Sequence, residues 1–459
     1  MKNITIIGAG PVGSLAAIYF AQHGHRVQII ERRPDMRKTR ISAGRSINLA
    51  LSDRGWRGIA GAGIVQDIAA VAIPMRGRMM HSIESKQTYQ QYGTDEQAIY
   101  SVSRGGINME LMDCAERHES ISILFNKRCV HVDLENATAI FEDNDTHERL
   151  TISSDCIIGA DGAYSAVRGA MQMTDRFNYE QHYIEHGYKE LTIPALPDGG
   201  FALDKYSLHI WPRSSYMLIA LPNMDGSFTC TLFFPFEGNP SFASLQTDDD
   251  IMTFFQEQFP DAVPLMPTLL HDFRHNPTSS LMTVRCYPWS YKNKVLLIGD
   301  AAHAIVPFFG QGMNCGFEDC YVLNSLLGQY SEENWGEMFA QFGKIRKPNG
   351  DAILQLALEN FIEMRDKVGD AEFLLRKKIE GIAQEMQPTR FRSRYSMVSF
   401  SHIPYAETIT IAQEQDVLVD TIMALPSIQD MLGTEELRSI IYTTMAALPE
   451  RFGDYSAPL

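Results

Sequence analysis

The stretch that most constrains this chain lies at its start. Ile4-Thr5-Ile6-Ile7 is a short apolar run of the kind that forms a buried strand, and Gly8-Ala9-Gly10-Pro11-Val12-Gly13 follows without a gap. From Val12 to about His23 apolar residues recur at helical spacing, and Val27 to Ile30 reads as a second strand ending at Glu31. In such a βαβ unit Gly8 makes the tight turn, Gly10 admits a pyrophosphate, and Gly13 lets the helix pack on the strand. Glu31, 18 residues after Gly13, stands where a carboxylate takes the adenosine ribose. A bare G-x-G-x-x-G also occurs in purely structural turns. Here strand, helix, second strand and acid occur in order, which selects dinucleotide binding. The motif does not separate FAD from NAD.

Two more strands end in the same manner. Val295 to Ile298 is apolar and closes on Gly299-Asp300, followed by a loop rich in Pro, Phe and Gly and a helix from about Met313. Open α/β sheets place ligands at the C-terminal ends of strands, and a helix N-terminus there offers unpaired N–H groups and a positive dipole end. Asp300 can accept from sugar hydroxyls, while Gly310 and Gly312 let a flat ligand approach the backbone. Cys156 to Gly159 is the third such strand, ending in Asp161-Gly162, with Ser165-Ala166-Val167-Arg168 beyond.

Between these points the texture varies. Residues 32 to 58 are rich in arginine and glycine (Arg32, Arg33, Arg37, Lys38, Arg40, then Gly44-Arg45). Beside Glu31 this favours an anion site over a solvated loop. Arg76-Gly77-Arg78 leads into a strand at Met79-Met80-His81, and Arg104 heads a helix spanning Asn108 to His118, where a lone arginine is more often a surface residue than a ligand. Short strands punctuated by Pro and Gly, at 208–211, 216–221 and 228–234, read as an antiparallel sheet.

At 459 residues the chain calls for two or three domains. The expected division is a discontinuous cofactor domain at 1–172 and 285–330, an inserted substrate domain at 173–284 with part of 71–100, and a C-terminal helical region at 331–459. The fold class is α/β, Rossmann-like, with the inserted antiparallel sheet. A net charge of −16 disfavours nucleic acid or an anionic membrane as partner. Seven cysteines without a CxxC pair fit a reducing compartment. The first apolar run is too short for a signal peptide, and no stretch reaches the ~20 apolar residues of a membrane span. A cytoplasmic protein is expected.

The set GxGxxG with Glu31, then Asp161-Gly162, then Gly299-Asp300, in this order, resembles the single-component FAD-dependent aromatic hydroxylases over about the first 330 residues. The segments GRSINLALS (44–52), MRGRM (75–79), HGYKELTIP (186–194), LHIWPR (208–213), IALPN (219–223), GDAAHAIVPFFGQGMN (299–314) and RYSMV (394–398) extend the likeness almost end to end. They point to the branch of the family that acts on L-kynurenine. The resemblance implies that Val12, Glu31, Arg32, Arg33, Ala50, Arg104, Asp300, Met313 and Asn314 hold FAD, with Asp161 beside it and linked to NADPH use. NADPH would visit without a Rossmann domain of its own. It also implies that Arg78, Tyr92, Asn360 and Tyr395 hold the amino-acid end of the substrate.

The activity so implied is hydroxylation of the ring by molecular oxygen through a flavin C4a-hydroperoxide. A carboxylate suits arginine's planar fork, which selects Arg78. Phe308 and Phe309 are expected to wall the aniline ring. His303 is expected to be structural, and no catalytic base is assigned because the amino group already enriches the ring; no metal is assigned either. Read from residues alone, Asn360 is a helix-surface residue and the two tyrosines are core aromatics. Eukaryotic relatives carry a membrane-anchoring helix where Asp416 to Leu448 is only amphipathic here, favouring a soluble, bacterial-type form. The oligomeric state stays open, with a homodimer entertained. Rival readings are hydroxylation of another aromatic acid, an FAD oxidase or reductase, and a non-enzymatic flavin-binding protein.

Overall fold

The computed structural model describes residues 1–38, 48–93, 96–363 and 371–453. Arg40 and Gly44 to Ile47, from the basic stretch, lie outside the described residues. The first strand is Asn3–Ile7, the helix Pro11–Gln22 and the second strand Arg26–Ile30. Asn3–Ile7 pairs in parallel with Arg26–Ile30 on one side and with Cys156–Gly159 on the other, and the latter pairs in parallel with Val295–Leu297. Beyond the exposed first residues Asn3 and Arg26 these strands are mostly apolar and buried, because both faces of a parallel sheet are covered. Helices Pro11–Gln22, Arg104–Glu116 and Gly312–Leu327 contribute to that cover.

Register then decides where a ligand can sit. Ile7 lies opposite Gly159, and Gly159 opposite Leu297, so three chain segments leave the sheet at one level. Gly8 has φ +109°, and a Cβ there would fall 2.5 Å from the Ala160 carbonyl oxygen. A Cβ on Gly13 would lie 2.0 Å from the Gly8 oxygen, so only glycine allows the helix to start this close to the strand.

A second sheet of seven strands runs in the order 278–287, 178–193, 228–235, 216–222, 207–213, 77–81, 87–91. It is antiparallel except where Ser207–Arg213 runs parallel to Gly77–His81. That parallel pair joins residues far apart in sequence, which the alternation of short strands could not reveal. The sheet's outer strand Thr278–Tyr287 extends past position 284. The helix expected from Asn108 begins earlier, at Arg104, because the Ser103 hydroxyl accepts from the Gly106 N–H and caps it there. The described part of 331–459 is helical, from Trp335–Ile362 to Glu435–Met445. Among the described residues no helix is long and apolar enough to cross a membrane.

Candidate active site

The three turns form one cleft edge. A Cβ on Gly10 or on Gly312 would meet nothing within 4 Å, so both backbones face open space, unlike Gly8 and Gly13 beside them. Glu31 is buried at the end of the second strand. Its Oε2 accepts from the Ala9 N–H (2.9 Å), and its Oε1 accepts from the Arg33 N–H (3.0 Å) and Nε (2.8 Å). Burial works against ionisation of Glu31, but these hydrogen bonds win and hold the carboxyl below its usual range. Arg33 therefore sits on Glu31. Arg37, from the basic stretch, departs from the anion-site expectation: it is held by Asp35 (2.8 Å), Asp113 (2.7 Å) and Glu116 (2.5 Å). Arg32 is exposed.

Val12 and Ala50 line the neighbouring turns, and Met313 and Asn314 begin the helix Gly312–Leu327. Val12 packs against the Gly299 turn, and Ala50 against Gly310. Asn314 is fully engaged by the protein. Its Oδ1 accepts from the Ser52 N–H (2.9 Å), and its Nδ2 donates to the carbonyls of Ala50 and Gly310 (both 2.8 Å). Anything this residue offers a ligand must come from its backbone at the helix N-terminus. The Asp161 carboxylate is engaged in a similar way, accepting from Ser165 Oγ (2.5 Å) and from the N–H groups of Ala166 (2.6 Å) and Val167 (3.3 Å). It caps a helix rather than facing the cleft. Burial pushes the Asp300 carboxyl up, and the Arg104 guanidinium opposes that shift, so Arg104 lies within electrostatic reach of Asp300.

The expected substrate residues meet although they come from four segments. The Arg78 guanidinium carbon lies 5.2 Å from the Tyr92 ring centre and 4.3 Å from that of Tyr395. Tyr92 stacks on Tyr395 (5.2 Å, 17°), and Tyr395 stacks on Phe309 (5.6 Å, 15°), giving a ladder of three near-parallel rings. Phe308 stacks on Phe361 (4.1 Å, 24°), and the Asn360 Nδ2 donates to the Phe308 carbonyl (2.7 Å), tying the helix Trp335–Ile362 to the Phe308-Phe309 turn. Among the described residues, two buried polar atoms in this group, Arg78 Nε and the Tyr92 hydroxyl, have no hydrogen-bond partner. Burial opposes the charge on Arg78, but the hydroxyls of Tyr395 and Tyr92 favour it and keep the guanidinium charged. Burial raises the Tyr92 phenol well above its ordinary value, keeping it neutral.

Beneath the cleft lies a charge network that the sequence did not disclose. Glu318 and Asp319 sit inside the helix Gly312–Leu327 and are buried. Arg346 donates from Nη1 to Glu318 (2.5 Å) and from Nε to Asp319 (2.7 Å), while Arg54 donates from Nη1 to Glu318 (2.8 Å). Arg54 also donates to the carbonyls of Met397, Val398 and Ile403, binding the segment that carries Tyr395. Asp319 accepts from the Gly299 N–H (2.9 Å) and pairs with His303 (2.6 Å), so it fixes the Gly-Asp turn from below. Burial alone would raise both carboxyls; Arg346 and Arg54 around Glu318, and His303 and Arg346 around Asp319, hold each at about 2. His303, Cys315 and Asp319 are close enough together to suit a metal, but Arg346 already supplies the cation, with its Nη2 3.3 Å from the Cys315 sulfur. The available signal was the adjacent acidic pair in an otherwise apolar helix, since buried charges require partners.

A family model described as an FAD binding domain matches residues 1–357. The kynurenine 3-monooxygenase of Flavobacterium psychrophilum is 46% identical over 436 residues, 95% of this chain and 97% of that protein. The enzyme of that name from Myxococcus xanthus is 48% identical over 435 residues (94% and 92%), and that from Dictyostelium discoideum 48% over 428 (90% and 92%). Among solved structures, the tetrameric form of 2-methyl-3-hydroxypyridine-5-carboxylic acid oxygenase superposes with a TM-score of 0.65 at 20% identity, covering 80% of this chain and 94% of that one. A single-residue variant of Klebsiella pneumoniae HpxO, complexed with FAD, does so with a TM-score of 0.65 at 18% identity (82% and 92%). The two structural likenesses establish the fold.

Proposed function

The chain belongs to the kynurenine 3-monooxygenase family of FAD-dependent aromatic hydroxylases, and on that premise we propose how its own residues carry out the hydroxylation of L-kynurenine to 3-hydroxy-L-kynurenine with NADPH and dioxygen. The observation that carries the reading is the pair of buried, unpartnered polar atoms, Arg78 Nε and the Tyr92 hydroxyl, at the end of the ring ladder. A buried donor without a partner costs about 1–3 kcal/mol, so such a site is suited to a ligand that supplies the acceptor. A carboxylate would take the Arg78 fork, with the Tyr92 and Tyr395 hydroxyls completing its hydrogen bonds. The ring ladder and the Phe308–Phe361 stack would hold the aniline ring and exclude water.

The cleft suits FAD. Open backbone at Gly10 and Gly312, the Glu31 carboxylate, and the Asp300–Arg104 pair are a pyrophosphate, ribose and ribityl set in the right order. We assign Gly8, Gly10, Val12, Gly13, Glu31, Arg32, Arg33, Ala50, Arg104, Asp161, Asp300, Gly312, Met313 and Asn314 to that cleft, Asp161 and Asn314 through the backbone they position. When bound, FAD supplies the passage of electrons from NADPH to oxygen. The protein orients the ring and keeps the cleft dry. His303 is committed to Asp319 beneath the turn, and the substrate's own amino group activates the carbon to be attacked, so no protein base is assigned. The domain division, with the substrate domain carried from 173 to Tyr287 by the outer strand and joined by part of 71–100, and a homodimer are part of the proposal, checked by limited proteolysis and light scattering. A cytoplasmic setting rests on seven free cysteines.

The test is a titration of the yellow holoenzyme with L-kynurenine in the absence of NADPH, followed by flavin absorbance. The reading predicts a saturable spectral change, and in Arg78→Ala an affinity roughly 10- to 100-fold weaker with FAD still bound. Equal affinity in the variant would remove Arg78 from the site.

A further inference from the structure

A buried cluster of titratable groups lies on the other face of the seven-stranded sheet. Arg78 and His81 are three residues apart in the strand Gly77–His81, so their side chains point to opposite faces. That strand and Gln87–Gln91 form an antiparallel hairpin at the sheet's edge, and the Tyr92 N–H donates to the Arg76 carbonyl (3.1 Å). Arg78 and Tyr92 therefore travel as one piece. The hairpin joins the rest of the sheet through Ser207–Arg213 alone, and its outer strand is fully exposed.

On the far face His81 Nδ1 lies 2.6 Å from Asp261 Oδ2, and His81 Nε2 lies 2.9 Å from His209 Nδ1. His209 Nε2 lies 2.8 Å from the Asp204 carbonyl. The ring of His81 stacks on Trp211 at 4.0 Å, and the Trp211 indole donates to Asp261 Oδ1 (2.8 Å). A proton count follows from these contacts. A carbonyl oxygen only accepts, so His209 donates from Nε2. A neutral His209 must then accept at Nδ1, which makes His81 the donor from Nε2. The Asp261 carboxylate accepts as well, so His81 also donates from Nδ1. A histidine that donates from both nitrogens is an imidazolium.

We propose that His81 is carried as an imidazolium between Asp261 and His209, and that in this form it is a positioning residue which latches the hairpin bearing Arg78 and Tyr92 to the sheet. The other two sites for the proton are disfavoured. Burial holds His209 down at about 4, and Asp261, which burial would raise, is brought below its usual range by the bonds from His81 and Trp211. The remaining charged groups around His81 are Arg213, which donates to the carbonyls of His81 (3.0 Å) and Ser82 (3.4 Å), Glu84 beyond it, and the Asp204 carboxylate, which is held by Ser207 Oγ (2.6 Å). If the proton leaves, one of the three hydrogen bonds becomes a contact between two lone pairs, and the hairpin loses its anchor. Substrate affinity then falls, while the FAD cleft is untouched.

The inference rests on the reading of Arg78 and Tyr92 as substrate ligands, and the test separates the two. Holoenzyme labelled with 15N-histidine, with the His81 signals assigned from His81→Gln, reports which ring nitrogens carry protons. The expected result is two protonated nitrogens. The KM for L-kynurenine should rise about tenfold as that signal titrates, with kcat nearly constant. Asp261→Asn is the conservative variant: its amide can accept from Trp211 and donate to His81, so every hydrogen bond survives with His81 neutral. It should show a singly protonated His81 and a KM that no longer depends on this titration. A singly protonated His81 in the unmodified protein would overturn the proposal, as would a KM that ignores the titration. If His81→Gln leaves KM unchanged while Arg78→Ala raises it, the latch alone fails. If neither variant changes KM, the substrate reading fails and the latch falls with it.

Discussion

Arg78 and Tyr92 pose a problem of opposing demands: what suits the ligand is a defect in the free protein. The Tyr92 hydroxyl is buried and unpaired, which costs stability until an acceptor arrives. Tyr92→Phe should therefore keep or raise the melting temperature of the holoenzyme while raising the KM for kynurenine several-fold. Thermal melts and kinetics on one preparation check both halves, and a lower melting temperature with unchanged KM would contradict the assignment. Legibility at this scale was uneven. Glu31 and the three glycines could be read from spacing because local backbone geometry dictates them. Arg78, Tyr92, Asn360 and Tyr395 are far apart in sequence and meet only through tertiary packing, so resemblance alone singled them out. Nothing in the spacing indicated that the Asp161 carboxylate would be taken by a helix cap, although Ser165 and the N–H groups after it were in view.

Among the elements, the helix Gly312–Leu327 shows how local sequence and distant charge combine. Its start was legible from Gly310, Gly312 and the preceding strand. Its anchoring was not, because Arg54 and Arg346 lie hundreds and tens of residues away from Glu318. Breaking a buried pair leaves an uncompensated charge, so Glu318→Gln should destabilise the protein by about 3–5 kcal/mol. Its unfolding midpoint in urea measures this, and a loss below about 1 kcal/mol would contradict the network's role. The sign with pH follows from the depressed carboxyls. Glu318 and Asp319, at about 2 when folded, contribute stability that is complete above the ordinary carboxylate range and lost as pH falls through about 4 towards 2. Because Asp319 holds the Gly299 turn, an acid titration should release FAD, seen as a rise in flavin fluorescence, no later than the loss of helical signal. Flavin release well after unfolding would contradict that coupling. Gly13→Ala should abolish flavin binding, since its Cβ would meet the Gly8 oxygen at 2.0 Å. Absorbance of the purified variant checks it.

At the scale of the whole molecule, the α/β fold and the helical C-terminal region follow from hydrophobic periodicity. Strand order does not, and the parallel pairing that brings Gly77–His81 beside Ser207–Arg213 is what places Arg78 opposite the C-terminal Tyr395. The cofactor cleft, assembled from three strand ends, and the substrate group, assembled from four segments, face the same Phe308-Phe309 turn. On the proposed reading, one turn joins a flavin cleft to a pocket for an aromatic amino acid. The most direct measurement is NADPH oxidation by the purified yellow protein under 18O2, with and without L-kynurenine, with product mass followed in parallel. Stimulated oxidation and a product one 18O atom heavier than kynurenine are expected. Stimulated oxidation that yields only peroxide would mean that kynurenine is not the ring hydroxylated here, and no stimulation at all would contradict the pocket's assignment.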